Sequence, residues 1–270
     1  MHHYAVWGNP IAQSKSPRIH QLFAQQAGKN LQYLAKLGSE SEFEKELEAF
    51  FAQGAQGCNI TAPFKERAFR LAHLHSETCL LAEACNTLKR LEDGRLYADN
   101  TDGKGLSADL ARLGWLKPQQ KVLILGAGGA TKGVLLPLLQ AQQNITLYNR
   151  THEKAVELAQ KFANFGQIQA ACWEELVNQS FDLIINATSL GLAGKCVELP
   201  AQLLKSAKIY DMQYALGQNT PFLNYAKSCG AEALADGLGM LVGQAAHAFA
   251  LWEGVMPEIE PVLKQLQAEM

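Results

Sequence analysis

The chain has no apolar run of membrane-spanning length, no C-x-x-C pair, no metal-ligand spacing, no internal repeat and no low-complexity tract. Nor is its charge lopsided: 24 Lys and Arg stand against 26 Asp and Glu. With so little net field, nucleic acid and anionic membranes are excluded as partners, and any anionic ligand must be held by local groups. The cysteines at 58, 79, 85, 172, 196 and 229 show no pairing pattern. In a chain of 270 residues they read as reduced, mostly buried thiols of a cytoplasmic protein. The opening MHHYAVWGNP lacks the basic-then-apolar layout of a signal peptide. What is present in quantity is apolar: 48% hydrophobic against 19% charged residues describes an ordinary soluble globule, long enough for one large domain or two moderate ones.

The most informative stretch is KVLILGAGGAT, Lys121 to Thr131. A short apolar run entering a glycine-rich turn reads as a buried parallel strand. The turn lets backbone N–H groups approach a pyrophosphate, and the following helix directs its positive dipole end at that charge. Gly126 and Gly128 fill the first two places of G-x-G-x-x-G, and Thr131 takes the third. Such a corner by itself can be only a tight turn, but a second strand, ITLYNRT, follows at about the 20-residue spacing of the dinucleotide fingerprint. An acid at its end would bind the ribose hydroxyls of NAD. The chain has Asn149 and Arg150 there, with Lys154 a helical turn later. A guanidinium and an ammonium suit a 2′-phosphate, so the cofactor expected is NADP.

Upstream, strands are expected at Tyr4–Gly8, Leu31–Leu37 and Gly57–Thr61, alternating with helices at Ser16–Ala27 and Glu40–Phe51. That alternation implies parallel pairing, with ligands at the carboxyl ends of the strands. Ser16-Pro17 reads as an N-cap with proline at the first helical position. Ser14 and Ser16 serve either as loop and cap residues or as a carboxylate site. Lys65 falls in the first turn of a helix opened by Pro63, where the dipole disfavours a cation; it is either a surface lysine or a functional one. A hairpin, about Asn86–Leu91 and Arg95–Ala98, precedes Asp99-Asn100-Thr101-Asp102-Gly103 and a helix at Leu106–Leu113. Two acids with Asn and Thr are more than a cap requires. Near the end, the apolar helix Gly239–Trp252 carries Gln244 and, three residues on, His247, which reads as a core histidine.

The runs AVWGNPIAQSKSPRIH, CNITAPFK, NTL, DNTDG, GAGGA, NRT, INATS and DGLGMLVGQAAHAF resemble the shikimate dehydrogenase family from end to end. The resemblance implies a two-domain α/β fold with its active-site cleft between the domains. Residues 1–102, joined by C-terminal helices 238–270, would form the substrate-binding and catalytic domain, and 103–237 a Rossmann-type NADP domain. It further implies NADPH-dependent reduction of 3-dehydroshikimate to shikimate, with no metal, in a monomer or homodimer.

By the same resemblance, Lys65 and Asp102 would be the catalytic pair. Ser14 and Ser16 would hold the substrate carboxylate, while Thr61, Asn86, Asp102, Tyr214 and Gln244 bind ring hydroxyls or neighbouring groups. Gly126, Ala127, Gly128, Gly129 and Ala130 would cradle the pyrophosphate; Asn149, Arg150, Thr151 and Lys154 the adenosine phosphate. Thr188, Met212 and Gly237 would line the nicotinamide side. The sequence departs from the family's habit at Gln13, Cys85 and Ala215, none of which has an assigned role. Three rivals remain: a quinate/shikimate dehydrogenase that also uses NAD, a non-catalytic NADP(H) sensor, and a folate dehydrogenase of the same two-domain plan. The first would place an acid near Asn149–Thr151, the second would have lost Lys65 or Asp102, and the third would not need the SKS serines or the NTDG run.

Overall fold

A computed structural model describes residues 1–215 and 217–269, so the last residue of the expected stretch 238–270 lies outside it. The chain divides into two compact units, Met1–Gly105 with Val242–Glu269, and Leu106–Leu241.

The first unit is built on six strands: β1 (His2–Gly8), β2 (Leu31–Leu37), β3 (Gly57–Ile60), β4 (Leu74–His75), β5 (Thr87–Arg90) and β6 (Leu96–Asp99). Their order is β2-β1-β3-β5-β6-β4. The sheet is mixed. β1 pairs in parallel with β2 and β3, as the strand–helix alternation implies, while β5 runs antiparallel to both β3 and β6. The tight turn at Asp93-Gly94 forces the β5–β6 reversal, with Gly94 at φ 85°.

Helix Phe43–Ala52 buries Phe43, Leu47, Phe50 and Phe51, spaced to form one face, against Ala5, Trp7, Cys58 and Ile60 of the sheet. Phe64, fully buried, stacks on Phe43 with ring centroids 4.3 Å apart. It is the residue immediately before helix Lys65–Leu71, so a core aromatic fixes where that helix begins. On the other face Trp252 stacks on Tyr4 at 4.5 Å and donates its indole N–H to the Leu88 carbonyl at 2.9 Å. That pairing lays the Val242–Glu253 part of helix Leu238–Glu253 along the sheet.

The second unit carries β7 (Lys121–Leu125), β8 (Asn144–Tyr148), β9 (Ile168–Ala170), β10 (Leu183–Asn186), β11 (Lys208–Asp211) and β12 (Leu234–Ala235) in the order β12-β11-β10-β7-β8-β9. Every pairing in it is parallel. Both faces of such a sheet are covered, which is why Val122 to Leu125 and Leu183 to Ile185 are all fully buried. The order reverses at β7, the topological switch point where doubly wound sheets bind dinucleotides.

Several local expectations need correction. Ser16 is not an N-cap: the helix Ser16–Ala27 begins at it, and Ser14 Oγ accepts from Ser16 N at 3.3 Å instead. Helix Asp102–Arg112 starts four residues earlier than its apolar pattern suggests, which puts Asp102 in its first turn. Helix Glu77–Ala82 carries no proline or glycine punctuation that would have announced it, whereas Ile259–Ala268 follows Pro257 and holds Pro261 in its first turn. The six cysteines are free, but only Cys58, Cys79 and Cys85 are buried. Among the described residues, no helix is long and apolar enough to cross a membrane.

One buried histidine gives the first unit a pH-dependent stability. His20 is 0% exposed and stacks on Tyr33 at 4.1 Å, with Phe23, Phe249 and Trp252 around it. Asn59 is a polar neighbour, yet neither ring nitrogen makes a hydrogen bond of good geometry. Burial pushes the imidazole down to about 3. The unfolded chain would take up a proton near pH 6.5 that the folded chain refuses, so this contribution is intact above about pH 6.5 and falls below it. Urea denaturation at pH 7 and pH 5 should reveal a loss that His20→Phe removes, amounting to about 2 kcal/mol of the parent's decline.

Candidate active site

In the first unit the polar residues singled out in the sequence converge on Asn86, the residue just before β5. Three constraints bring them there. Phe64 anchors the start of the helix carrying Lys65, and the Cys85 N–H donates to the Lys65 carbonyl at 2.9 Å. The β5–β6 hairpin places DNTDG opposite Asn86, whose own N–H donates to the Asp99 carbonyl at 3.2 Å. The Leu238–Glu253 helix supplies Gln244.

Lys65 Nζ donates to Asp102 Oδ2 at 2.6 Å, a charge-assisted bond. Asp102 Oδ1 accepts from Asn86 Nδ2 at 2.8 Å, and the same amide group reaches Thr101 Oγ1 at 3.0 Å and Gln244 Oε1 at 3.4 Å. Asn86 Oδ1 accepts from Thr101 N at 2.8 Å and Thr87 Oγ1 at 2.9 Å. Lys65 and Asp102 keep 31% and 15% of their side chains exposed, so the pair faces solvent while its support is buried.

The pair of acids in DNTDG divides its work. Asp102 meets Lys65, whereas buried Asp99 accepts from Ser76 Oγ, Asn100 N and Lys104 Nζ at 2.5, 2.8 and 2.7 Å and holds the turn. His247, half-buried, faces Lys104 and Asp99; burial first, then the Lys104 charge, push its imidazole down. Ser16 is buried and its side chain meets the Tyr33 hydroxyl. That hydroxyl donates to Asn59 Oδ1 at 2.7 Å, and Asn59 Nδ2 donates to the Asn86 carbonyl at 3.1 Å. Ser16 is thereby linked to the cluster through two residues that sequence reasoning missed; the asparagine within CNIT was the available signal. Thr61, half-buried, follows β3, and its N–H donates to the Trp7 carbonyl.

The second unit holds the other predicted residues. After β7, Gly126 takes φ 104°, a left-handed value that favours glycine. Its N–H donates to the Tyr148 carbonyl at 2.7 Å, and Thr131 Oγ1 donates to its carbonyl at 2.8 Å. Thr131, in the third fingerprint place, therefore closes the turn from inside. A Cβ added at Gly128 or Gly129 meets no atom within 4 Å, so the backbone at the start of helix Gly129–Gln140 is open to a ligand. The groove it lines measures about 610 Å³ and is also lined by Arg150, Thr151, Lys154 and Thr188. Arg150 and Lys154 are exposed. An open N–H cradle beside two unburied cations fits the pyrophosphate and 2′-phosphate of NADP.

Asn149, expected beside the adenosine phosphate and lining this groove, also bonds within the protein. Its Oδ1 accepts from Ala127 N at 3.1 Å and its Nδ2 donates to the Thr151 carbonyl at 2.8 Å, so the carboxamide clips the glycine turn to the Arg150–Thr151 corner. Met212 and Gly237 lie together in this unit, and Tyr214 comes two residues after Met212 beyond β11, its hydroxyl pushed up by burial and by Asp236.

Comparison with known proteins agrees with both halves. Residues 6–88 match the shikimate dehydrogenase substrate binding domain, 111–208 the shikimate / quinate 5-dehydrogenase model, and 237–267 the shikimate 5′-dehydrogenase C-terminal domain. A protein from Glaesserella parasuis named shikimate dehydrogenase (NADP(+)) is 73% identical over 270 residues, which cover 100% of this chain and 99% of that one. Among solved structures, an Ael1 enzyme from Pseudomonas putida is 46% identical with TM-score 0.92, covering 98% of each chain. A shikimate 5-dehydrogenase from Thermus thermophilus, crystallised with NADP(H) and shikimate, is 31% identical with TM-score 0.88, covering 100% of each.

The Asn149 clip can be tested by Asn149→Asp. The aspartate keeps an acceptor for Ala127 N but sets a charged oxygen against the Thr151 carbonyl and beside the 2′-phosphate position. Selectivity for NADPH over NADH, measured as the ratio of kcat/KM values, should fall by about tenfold or more.

Proposed function

The chain belongs to the shikimate dehydrogenase family, and from that premise we propose how its residues share the reduction of 3-dehydroshikimate to shikimate with NADPH. The reading is carried by one observation: an ammonium and a carboxylate 2.6 Å apart, partly exposed, on a buried polar scaffold. Bound NADPH supplies the hydride that reaches the ring ketone. The rest falls to the protein, which must orient the substrate and stabilise the alkoxide that develops on the ketone oxygen.

Lys65 is placed for that second task. An ammonium has three donors, and Asp102 takes one, leaving the others for the ketone oxygen and water. As the alkoxide forms, Lys65 gives it a proton and recovers one from solvent. In the reverse direction the same amine removes the hydroxyl proton. Asp102 holds Lys65 in place and uses a remaining lone pair for a neighbouring ring hydroxyl. Asn86 and Gln244 orient Asp102 and border the ring. Ser14 and Ser16, at the start of helix Ser16–Ala27, take the substrate carboxylate with help from the helix dipole. Thr61 and Tyr214 add hydroxyls to the same ligand.

For the cofactor, Gly126 to Ala130 hold the pyrophosphate, with Thr151, Arg150 and Lys154 around the 2′-phosphate and Asn149 clipping their corner in place. Thr188, Met212 and Gly237 flank the nicotinamide. The absence of an acid in Asn149–Thr151 disfavours the dual-cofactor quinate/shikimate reading, and the paired Lys65 and Asp102 disfavour a sensor that has lost its chemistry. We read the substrate-binding domain as residues 1–102 with 238–270, and the NADP domain as 103–237.

Lys65→Ala tests the role of the amine: kcat should drop by roughly 10²–10⁴-fold with KM for shikimate little changed, and a loss confined to KM would reduce Lys65 to a binding residue. Arg150→Ala tests the phosphate site. Discrimination between NADPH and NADH should fall on the order of 10- to 100-fold, what a charge-assisted contact contributes; unchanged preference would refute the assignment.

A further inference from the structure

Thr188, Met212 and Gly237 come from three separate segments, and the buried carboxylate of Asp211, next to Met212 in the chain, is linked to the other two through Asn186 and Gln213. Asp211, the last residue of β11, is 0% exposed. Its Oδ1 accepts from Asn186 Nδ2 at 3.0 Å and from Gln213 N at 3.1 Å, and its Oδ2 accepts from Thr220 Oγ1 at 2.6 Å. Burial raises its carboxyl above the usual range while these donors pull it back.

The bond from Asn186 turns that carboxamide so that its Oδ1 accepts from Thr188 N at 3.2 Å and Thr188 Oγ1 at 2.8 Å. The Asn186 backbone carbonyl accepts from Met212 N at 3.0 Å. Gln213 completes the set: its Nε2 donates to the Thr188 carbonyl at 3.0 Å, and its own carbonyl accepts from Gly237 N at 2.9 Å. A Cβ at position 237 would lie 2.1 Å from the Met212 carbonyl oxygen, so glycine is what allows these two backbones to touch.

Part of this has a plain structural use. Thr220 Oγ1 accepts from Leu223 N at 3.3 Å as the cap of helix Pro221–Ser228, and Asp211 orients that cap. Capping leaves unexplained why the other bonds converge on Thr188, Met212 and Gly237.

We propose that Asp211, Asn186 and Gln213 form a positioning network for the nicotinamide end of bound NADP(H), acting through Thr188, Met212 and Gly237. The proposal rests on the assignment of those three residues to the nicotinamide side. A side chain displaced by an ångström at the reacting end of a cofactor is enough to slow transfer, whereas the phosphate end is held by a different part of the chain.

Gln213→Leu is the informative variant, because it removes the side-chain donor to Thr188 while the residue's backbone N–H still reaches Asp211 and the Thr220 cap is untouched. In the ligand-free protein, hydrogen–deuterium exchange across residues 187–191 should quicken. Calorimetry should find NADP⁺ bound about 5- to 10-fold more weakly, with 2′,5′-ADP, which lacks the nicotinamide, changed by less than about twofold. Turnover should fall about tenfold with KM for shikimate little changed. Asp211→Ala should behave alike. Asp211→Asn, whose oxygen can still accept and whose amide can donate to Thr220 Oγ1, should restore most of the loss.

Unchanged exchange and NADP⁺ affinity in Gln213→Leu would overturn the proposal, as would equal weakening of NADP⁺ and 2′,5′-ADP, which marks general loosening of the unit. Gly237→Ala separates the two layers. If it weakens both ligands equally, the nicotinamide-side assignment fails; if it weakens NADP⁺ alone while Gln213→Leu does neither, the positioning network fails by itself.

Discussion

The polar cluster of the first unit turns on a carboxamide that water scarcely reaches. Asn86 is 3% exposed, and its amide and carbonyl are occupied on every side by Thr87, Thr101, Asp102 and Gln244. A buried amide left without partners costs about 1–3 kcal/mol, so the arrangement is held as a set: a shift of any partner exposes an unmet group. Asp102 is aimed by this constraint, and Lys65 by Asp102 in turn. The exposed pair is therefore preorganised by groups that do not themselves meet solvent. A charged pair on a flexible surface would spend side-chain entropy each time it formed; here that ordering is already done in folding.

The second unit solves a different problem by different means. What it offers an anion is backbone more than side chain: an open N–H turn, a helix start, and two unburied cations nearby. What has to be rigid is the path of the chain, and the means are internal bonds of small polar residues. Asn149 clips one corner of the groove, Thr131 closes the glycine turn from below, and Asn186 with Asp211 draws the strand ends of β10 and β11 together. Each of these lies at or just past the carboxyl end of a parallel strand or at the start of the following helix, where the ladder runs out and side chains take over.

Much of this was legible before any coordinates. The strand Leu31–Leu37 was readable to the residue, because a glycine and a serine follow it directly. The glycine-rich corner, the cationic end of β8 and the acid-rich DNTDG run were equally plain. Less accessible were element starts: no side-chain cap opens the helix at Lys65, and the helix at Asp102 begins four residues before its apolar pattern, its first N–H held by Asn100 Oδ1 at 3.2 Å. The mixed first sheet shows the same limit, since a local turn specifies a hairpin but not the strand beside which it is inserted.

The amino-acid sequence alone determined the two-unit α/β plan and the NADP cofactor, because these are written in short-range pattern: apolar periodicity, glycine placement, charge at a strand end; the family and the pairing of Lys65 with Asp102 came from the resemblance its motifs carry. Only the tertiary structure decided what those residues do to one another. That Asn149 clips a turn, that Asp99 supports a loop while Asp102 meets Lys65, and that Tyr33, Asn59 and Asp211 belong to the story at all are consequences of burial. A polar side chain enclosed by the fold must find its partners among whatever residues the packing brings near, and that choice is made across hundreds of positions at once.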